Sequence, residues 1–469
     1  MLTINGKYCA SNQYLSRGDK VIELIKMTET NPELELKNAS KVWKSLTQEC
    51  LPGRNRDLDY WWRLAGFHLA SMVDNANYST EKQYQALLFH YHMITPYLGP
   101  APGRNGSTMW KSLMGVDGSS MEYSWKWNTS VEDKPEIRYV VETINERSGT
   151  ATDPLNQQPG RDFMHQVQKI VPTADFGWTH HFLAHLFDHD IAKFAAENSA
   201  GVPAVGTLAH AVEYSPKGLG IKSYISSRTL GSRGGRASLD FWNDAIRKLS
   251  PDNANLDILM KFTRENSYGR HLVPFLLSTD DVDSSKARLK FYFNSPSTSF
   301  LCVRNIMALG GAIEVPEEKF MELRSLVLTL LGLPEDYPDT EDIPSKPWAP
   351  PTQEIFSQQP ELKGGYIFYF DVAPGAVSTI SDVKFYLPVR QYGPDDGTIA
   401  QSLVQWLESR GRGAYSTGFL RVLESLAEHR RLDQGKGLQT YVGFIFKKNG
   451  DFEITSYLGP EFYHPNRFQ

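Results

Sequence analysis

Three short segments of the chain carry one alternating pattern, and that pattern leaves few folds open. They read Ile-Lys-Ser-Tyr-Ile at 221–225, Ala-Arg-Leu-Lys-Phe-Tyr-Phe at 287–293 and Val-Lys-Phe-Tyr-Leu at 383–387. Successive side chains of a strand point to opposite faces. Lys222 and Tyr224 therefore share a face, as do Arg288, Lys290 and Tyr292, and Lys384 and Tyr386, with mostly apolar residues opposite. Charge on one exposed strand face is common. Three copies in the same Lys-x-Tyr order point instead to a closed sheet with a polar lumen and helices over its outer wall, with solvated faces as the competing reading. Cations converging on one cavity suit an anion of several charges. Tyrosines between them can donate hydrogen bonds to that anion or offer ring faces to a carbocation. Arg138, Tyr441 and Tyr457 stand in similar strand-like surroundings.

Further strand signals come in pairs, at 121–128 and 136–144, 207–214 and 220–226, 272–278 and 287–294, 365–372 and 382–389, and 439–447 and 451–458. Helical patterns separate them, over 56–75, 84–98, 175–199, 239–249, 256–266, 318–333, 398–409 and 417–432. Thr80-Glu-Lys-Gln83 resembles a capping box. The spacing predicts an α+β chain: a closed ten-stranded antiparallel barrel with a polar lumen, surrounded by helices and built from five helix–hairpin–helix repeats. Closure removes exposed edges, and hairpins exclude a parallel (β/α) barrel. Ten strands also enclose more space than side chains alone fill. Residues 51–469 are expected to form this single domain, with 1–50 as a lead-in packed on the barrel and one helix near Asp19–Met27.

Composition narrows the partners. A net charge of -5 and a pI near 6.2 argue against nucleic acid. No apolar run reaches the roughly 18 residues of a membrane span, and the opening residues lack the apolar run of a signal peptide. Cys9, Cys50 and Cys302 lie far apart, as in a reducing cytosol rather than a disulfide framework. A cytoplasmic location is expected.

The segment Met121-Glu-Tyr-Ser-Trp-Lys-Trp-Asn128 places Glu122, Ser124 and Lys126 on one face and Tyr123, Trp125 and Trp127 on the other. A lumenal carboxylate needs a partner, because burying it alone is costly. The partner is a lumenal cation or a donor on a substrate, and the pattern does not choose between them. In order along the chain, Glu122 in this segment, Arg138, Lys222-Ser-Tyr224, Arg288-Leu-Lys-Phe-Tyr292, Lys384-Phe-Tyr386, Tyr441 and Tyr457 resemble the fungal aromatic prenyltransferases of the dimethylallyltryptophan synthase type. The likeness runs from about residue 50 to the C-terminus.

The resemblance implies the antiparallel α/β (ABBA) prenyltransferase barrel. It also implies transfer of a dimethylallyl group from dimethylallyl diphosphate to an indole-containing acceptor: a tryptophan derivative, a cyclic dipeptide or an indole alkaloid. The reaction would be an electrophilic aromatic substitution of specialised metabolism, needing no metal and no other cofactor. Arg138, Lys222, Arg288 and Lys290 would then hold the diphosphate, joined by Lys384, which stands where relatives often carry glutamine. Tyr224, Tyr292, Tyr386, Tyr441 and Tyr457 would line the donor site and shield the allyl cation. Glu122 would be the catalytic carboxylate on the indole N–H. Tryptophan-prenylating members can use a lysine on the strand before Lys-x-Tyr as the base, and residues 203–214 contain none. Phenolic or polyketide acceptors are therefore open as an alternative. A non-catalytic small-molecule binder is the rival from another class. Nucleic acid and membrane are not expected as partners, and a homodimer is left open.

Other signals are expected to be structural. Glu335–Asp339 lies in a proline-rich stretch rather than on a helical face that would align carboxylates for Mg²⁺. Asp280-Asp-Val-Asp283 reads as a hairpin turn. His181, His185 and His189 read as a helix face rather than a zinc site, and Gly231-Ser-Arg-Gly-Gly-Arg236 as a flexible loop near the cavity mouth.

Overall fold

The computed structural model describes residues 40–130, 133–188, 190–202, 204–215, 218–228, 230, 237–346, 364–374, 380, 383–447 and 452–469. Its strands are β1 (Met121–Lys126), β2 (Glu136–Val141), β3 (Leu208–Ser215), β4 (Gly218–Ile225), β5 (Val273–Asp280), β6 (Leu289–Ser295), β7 (Tyr366–Asp371), β8 (Val383–Leu387), β9 (Gln439–Phe446) and β10 (Phe452–Leu458). Each pairs antiparallel with its neighbours, and β10 returns to β1, so the sheet closes into a barrel. The helical connections between hairpins are unequal. Gln158–Ile170, Gly177–His185 and Ile191–Ser199 lie between β2 and β3, but Leu239–Leu249 and Ala254–Glu265 between β4 and β5.

Period-two alternation builds the wall. The outward side chains Tyr123, Trp125 and Trp127 of the first strand segment and Leu289, Phe291 and Phe293 of β6 are all buried. Trp127 packs on Phe419 of the helix Ser416–Leu426 with ring centroids 4.8 Å apart. Each fully buried Leu or Phe contributes about 1.5–3 kcal/mol, which fixes the register: a slip of one residue would turn the cationic face outward. At the start of the described chain, Trp43 stacks on Trp62 and meets Phe67 edge-on, at 6.3 and 5.6 Å. The helix expected near Asp19–Met27, and Cys9, lie outside the described residues. Among the described residues no helix is long and apolar enough to cross a membrane.

Four local expectations are corrected. The helix predicted over 175–199 is two, Gly177–His185 and Ile191–Ser199. Between them Asp188 Oδ1 accepts from the Asp190 N–H at 2.8 Å, a local bond that competes with the helical ladder. The cap before the next helix in question is Ser79, not Thr80: its Oγ accepts from the Lys82 N–H at 3.3 Å and the helix begins at Thr80. Two of the longer helices went unread. Gln158–Ile170 opens on Pro159-Gly160, which looks like a breaker but suits a first turn. Phe300–Met307 follows a serine-rich stretch in which Ser299 is the cap, accepting from the Cys302 N–H at 3.2 Å.

The fourth correction concerns Asp280–Asp283. β5 runs through Asp280, and only Asp283 holds a turn, accepting from the Ser285 N–H at 3.0 Å. Asp281 faces the outer wall, buried, and accepts from Thr179 Oγ1 (2.7 Å), Ser223 Oγ (2.7 Å) and Thr279 Oγ1 (3.1 Å). Burial pushes its carboxyl from an ordinary value near 3.8 up to about 7, against the pull of those hydroxyls. The folded state thus binds this proton more tightly than the unfolded chain. The stabilisation is complete below about pH 3.8 and is lost as pH rises to about 7. Asp281→Asn is expected to flatten this dependence. The Tm of the wild type should fall relative to the variant between about pH 4 and pH 7, and a constant gap across that window would show that Asp281 titrates as an ordinary carboxyl.

Candidate active site

Strand parity and register bring the polar residues of separate hairpins to one level of the lumen. Ser124 lies opposite both Arg138 and Tyr457, Arg138 opposite Glu213, and Lys222 opposite Asp280. Tyr292 lies opposite Tyr369, and Lys384 opposite Tyr369 and Ile445. Two adjoining chambers result. The smaller encloses about 100 Å³ and is lined by Arg138, Lys222, Arg288, Lys290 and Lys384. The larger encloses about 290 Å³ and is lined by Glu122, Tyr441, Tyr457 and apolar groups such as Val140, Leu208 and Phe275. Arg138, Tyr224, Tyr292 and Tyr386 line both and form the boundary. The five cations and the five tyrosines singled out in the sequence are thus in one lumen.

The cations are held in place by partners. Lys222 is paired with Glu213. Asp280 accepts from Arg288 Nε at 2.7 Å and from Lys290. Arg138 donates from Nε to Ser124 Oγ at 3.2 Å and from Nη2 to the Tyr457 hydroxyl at 3.1 Å. Lys384 donates to the same hydroxyl at 3.0 Å and to Thr455 Oγ1 at 3.3 Å. Burial alone would raise the Glu213 carboxyl, but Lys222 and Arg138 hold it down at about 2. Burial works the same way on Asp280, and Lys290, Lys222 and Arg288 outweigh it, so this carboxyl stays well below its usual range. Burial pushes the Lys384 ammonium well below its ordinary range, and the charge on Arg138 adds to the effect. At the far end Lys126 and Lys447 are matched by Glu136 and Glu453. Five basic residues thus line the chamber against Glu213 and Asp280, with Asp371 opposite Lys290 on the ladder, and burial lowers Lys290 to about 7, as it also lowers Lys384.

Aromatic rings roof this clamp. Tyr292 stands 6.3 Å from Tyr224, 5.3 Å from Tyr369 and 6.0 Å from Tyr386, and Tyr386 stands 5.5 Å from Tyr457 and 6.4 Å from Tyr441. Tyr369 is a member that sequence reading missed, although it shares β7 parity with Ile367 on the lumen side. Gly443 makes the close packing possible: a Cβ there would stand 2.7 Å from Lys384 Cε and 3.1 Å from the Tyr457 ring.

In the larger chamber Glu122 Oε1 accepts from Thr440 Oγ1 at 2.7 Å. Burial raises its pKa, opposed by Thr440 and by the charges of Arg390 and Arg138. Two residues here were not anticipated. Arg390, in the short helix Val389–Tyr392, donates to the Tyr441 hydroxyl and lies 4.5 Å from that ring's centre. Glu142 follows β2 and is buried, accepting from Trp110 Nε1 (2.9 Å), Asn156 Nδ2 (2.8 Å) and Ser112 Oγ. Both continue the even-numbered lumen face of a strand past its end, Arg390 after Lys384 and Tyr386, Glu142 after Arg138 and Val140. The β3 positions that line this chamber are Leu208 and Ala209, and β3 carries no lysine.

The remaining sequence signals stand apart from the lumen. His181 Nε2 meets the Ala245 carbonyl at 2.9 Å, and His185 Nδ1 meets the His181 carbonyl at 2.8 Å. His189 and Gly231–Arg236 lie outside the described residues. Asp339 accepts from Arg324 Nε at 2.8 Å. Among the described residues no three His, Cys, Asp or Glu side chains are grouped to hold a metal ion.

Comparison with known proteins agrees with this architecture. The profile of the tryptophan dimethylallyltransferase family matches residues 57–422. Prenyltransferase anuH of Penicillium roqueforti is 47% identical over 430 residues, which is 92% of this chain and 94% of that one. Xanthone prenyltransferase B of Emericella nidulans is 40% identical over 440 residues, 92% and 93% of the two chains. Among solved structures, NotF in complex with brevianamide F and DMSPP shares the fold with a TM-score of 0.70 at 20% identity, over 89% of this chain and 98% of NotF. The profile spans most of the barrel and the relatives align nearly end to end, so the chain belongs to the tryptophan dimethylallyltransferase family and is an aromatic prenyltransferase with the ABBA barrel.

Proposed function

We propose that the protein moves a dimethylallyl group from dimethylallyl diphosphate to a hydroxylated aromatic acceptor, a phenol or polyketide, with no metal ion. The observation that carries this reading is the meeting of a cationic chamber and a carboxylate-bearing aromatic chamber across a boundary of tyrosines and Arg138. Arg138, Lys222, Arg288, Lys290 and Lys384 would hold the diphosphate, whose multiple charge suits this basic lining. The allylic C–O bond breaks with its electron pair passing to the diphosphate oxygen, and fixed cations stabilise that charge as it develops. Tyr224, Tyr292, Tyr386, Tyr441 and Tyr457 would turn ring faces to the allyl cation and keep water away. Glu122 accepts a hydrogen bond from the acceptor O–H and so enriches the ring. A ring carbon supplies the electron pair of the new C–C bond, and the ring proton passes to a base.

Two observations support an oxygenated acceptor. Xanthone prenyltransferase B, named for such a ring system, is 40% identical, against 20% for NotF. And β3 has no lysine to serve as the base used on tryptophan. The second reading is an indole acceptor, with Glu122 on the indole N–H and every other role unchanged; the name of the matching family favours it. The test is mass spectrometry of turnover with dimethylallyl diphosphate, EDTA and a panel of naphthols, hydroxyxanthones, indoles and cyclic dipeptides. A gain of one C5 unit on the hydroxylated members is expected. A gain on indoles alone selects the second reading, and product that forms only when Mg²⁺ replaces EDTA overturns the metal-free clamp.

A further inference from the structure

The larger chamber holds a second carboxylate that this reaction leaves unused. Glu142 follows β2 on the lumen face, two residues beyond Val140, which lies opposite Glu122. Such diagonal neighbours stand about 7–8 Å apart. Glu142 Oε1 takes two hydrogen bonds, from Trp110 and Asn156, and Oε2 takes one, from Ser112. A carboxylate has about four acceptor places, so Oε2 keeps one, and the residue lines the chamber. The chain is shaped around it: a Cβ on Gly206 would stand 1.8 Å from Oε1.

The same wall carries an unsatisfied donor. The Thr207 carbonyl, next to Gly206, accepts from the Ser226 N–H at 3.1 Å. Two residues further on, Arg228 lines the chamber and is only 3% exposed. Its Nη2 donates to Asn198 Oδ1 at 3.0 Å and Glu197 Oε2 at 3.4 Å, while Nη1 is buried with no hydrogen-bond partner among the described residues. An acceptor place and a spare donor on one cavity wall are the complement of a hydroxyl group, which donates one hydrogen bond and accepts others.

We propose that Glu142 and Arg228 form a second polar anchor, which binds a further hydroxyl of a polyhydroxylated aromatic acceptor while Glu122 binds the first. The inference rests on reading the larger chamber as the acceptor site. An indole, with one N–H, engages Glu122 alone. A ring with two hydroxyls engages both anchors and is held in one orientation, which decides the ring carbon presented to the allyl cation.

The test compares a naphthol with the naphthalenediols made by adding one hydroxyl, using calorimetric binding to the full chain alongside turnover with dimethylallyl diphosphate. In Glu142→Gln the amide oxygen still accepts from Trp110 and Asn156, and the amide N–H₂ can donate to Ser112, whose hydroxyl turns to accept. The acceptor place offered to the substrate is replaced by an N–H, so the hydroxyl can no longer donate there. Wild type is expected to bind at least one diol about tenfold more tightly than the naphthol. Glu142→Gln and, independently, Arg228→Lys should lose that advantage through KM rather than kcat, with naphthol binding unchanged. Equal affinity of wild type for diols and naphthol, or equal loss for both in the variants, overturns the anchor. A diol advantage that vanishes in the variants while neither compound is prenylated leaves the anchor standing and removes the phenolic reading of the reaction.

Discussion

Glu122→Gln is expected to lower the rate of prenyl transfer by about 100- to 1,000-fold while donor affinity stays within about twofold. The reason lies in the position of the carboxylate. It faces the larger chamber, is fixed by Thr440 Oγ1 at 2.7 Å, and is separated from the cationic clamp by the tyrosine boundary. Burial raises its pKa, which makes the carboxylate a stronger hydrogen-bond acceptor toward an acidic O–H or N–H. Glutamine keeps the shape and the bond from Thr440 but loses the charge. Single-turnover rates and calorimetric binding of an unreactive thiolo analogue of the donor separate the two effects. An unchanged rate would take Glu122 out of the chemistry.

Arg138→Met should be as damaging, but through the donor. Arg138 lines both chambers and is tied to Ser124 and Tyr457. Its loss cuts the positive charge of the clamp and removes the one of these five cations that lines both chambers. Donor dissociation constants are expected to rise about 30- to 100-fold and turnover to fall at least 100-fold. Arg138→Lys should recover only part of this, because an ammonium lacks the planar fork that serves Ser124 and Tyr457 together. Loss of acceptor affinity with donor affinity intact would reverse the assignment of the two chambers.

Parity made much of this lumen legible from sequence. Once 287–293 is a strand, Arg288, Lys290 and Tyr292 must share a face, and hairpins in succession suggest closure. Parity says nothing about which residue lies across the ladder. Glu213 and Asp280 went unread for that reason: their roles depend on the registers that set Lys222 opposite Asp280 and diagonal to Glu213, and Asp280 also sits in an aspartate-rich stretch that looks like a turn. Arg390 and Glu142 were missed differently. Each extends a lumen face one or two steps past a strand end, where backbone geometry changes and alternation is no longer a safe guide. The acceptor is hidden for a third reason. The apolar chamber is assembled from loops and strand ends far apart in sequence, and its contour exists only in three dimensions.

The resident carboxylates bear on the end of the catalytic cycle. Five bare cations would grip inorganic diphosphate, the more highly charged product, harder than the ester that entered. Here Lys222 has Glu213 to return to, and Arg288 and Lys290 have Asp280. In the proposed reaction a departing diphosphate would leave these three cations paired, while Lys384 would keep only the hydroxyls of Tyr457 and Thr455. On the proposed reading, Glu213 and Asp280 would act as counterweights that ease product escape and would set a threshold at entry, since a monophosphate would face the same two carboxylate rivals with less charge to displace them.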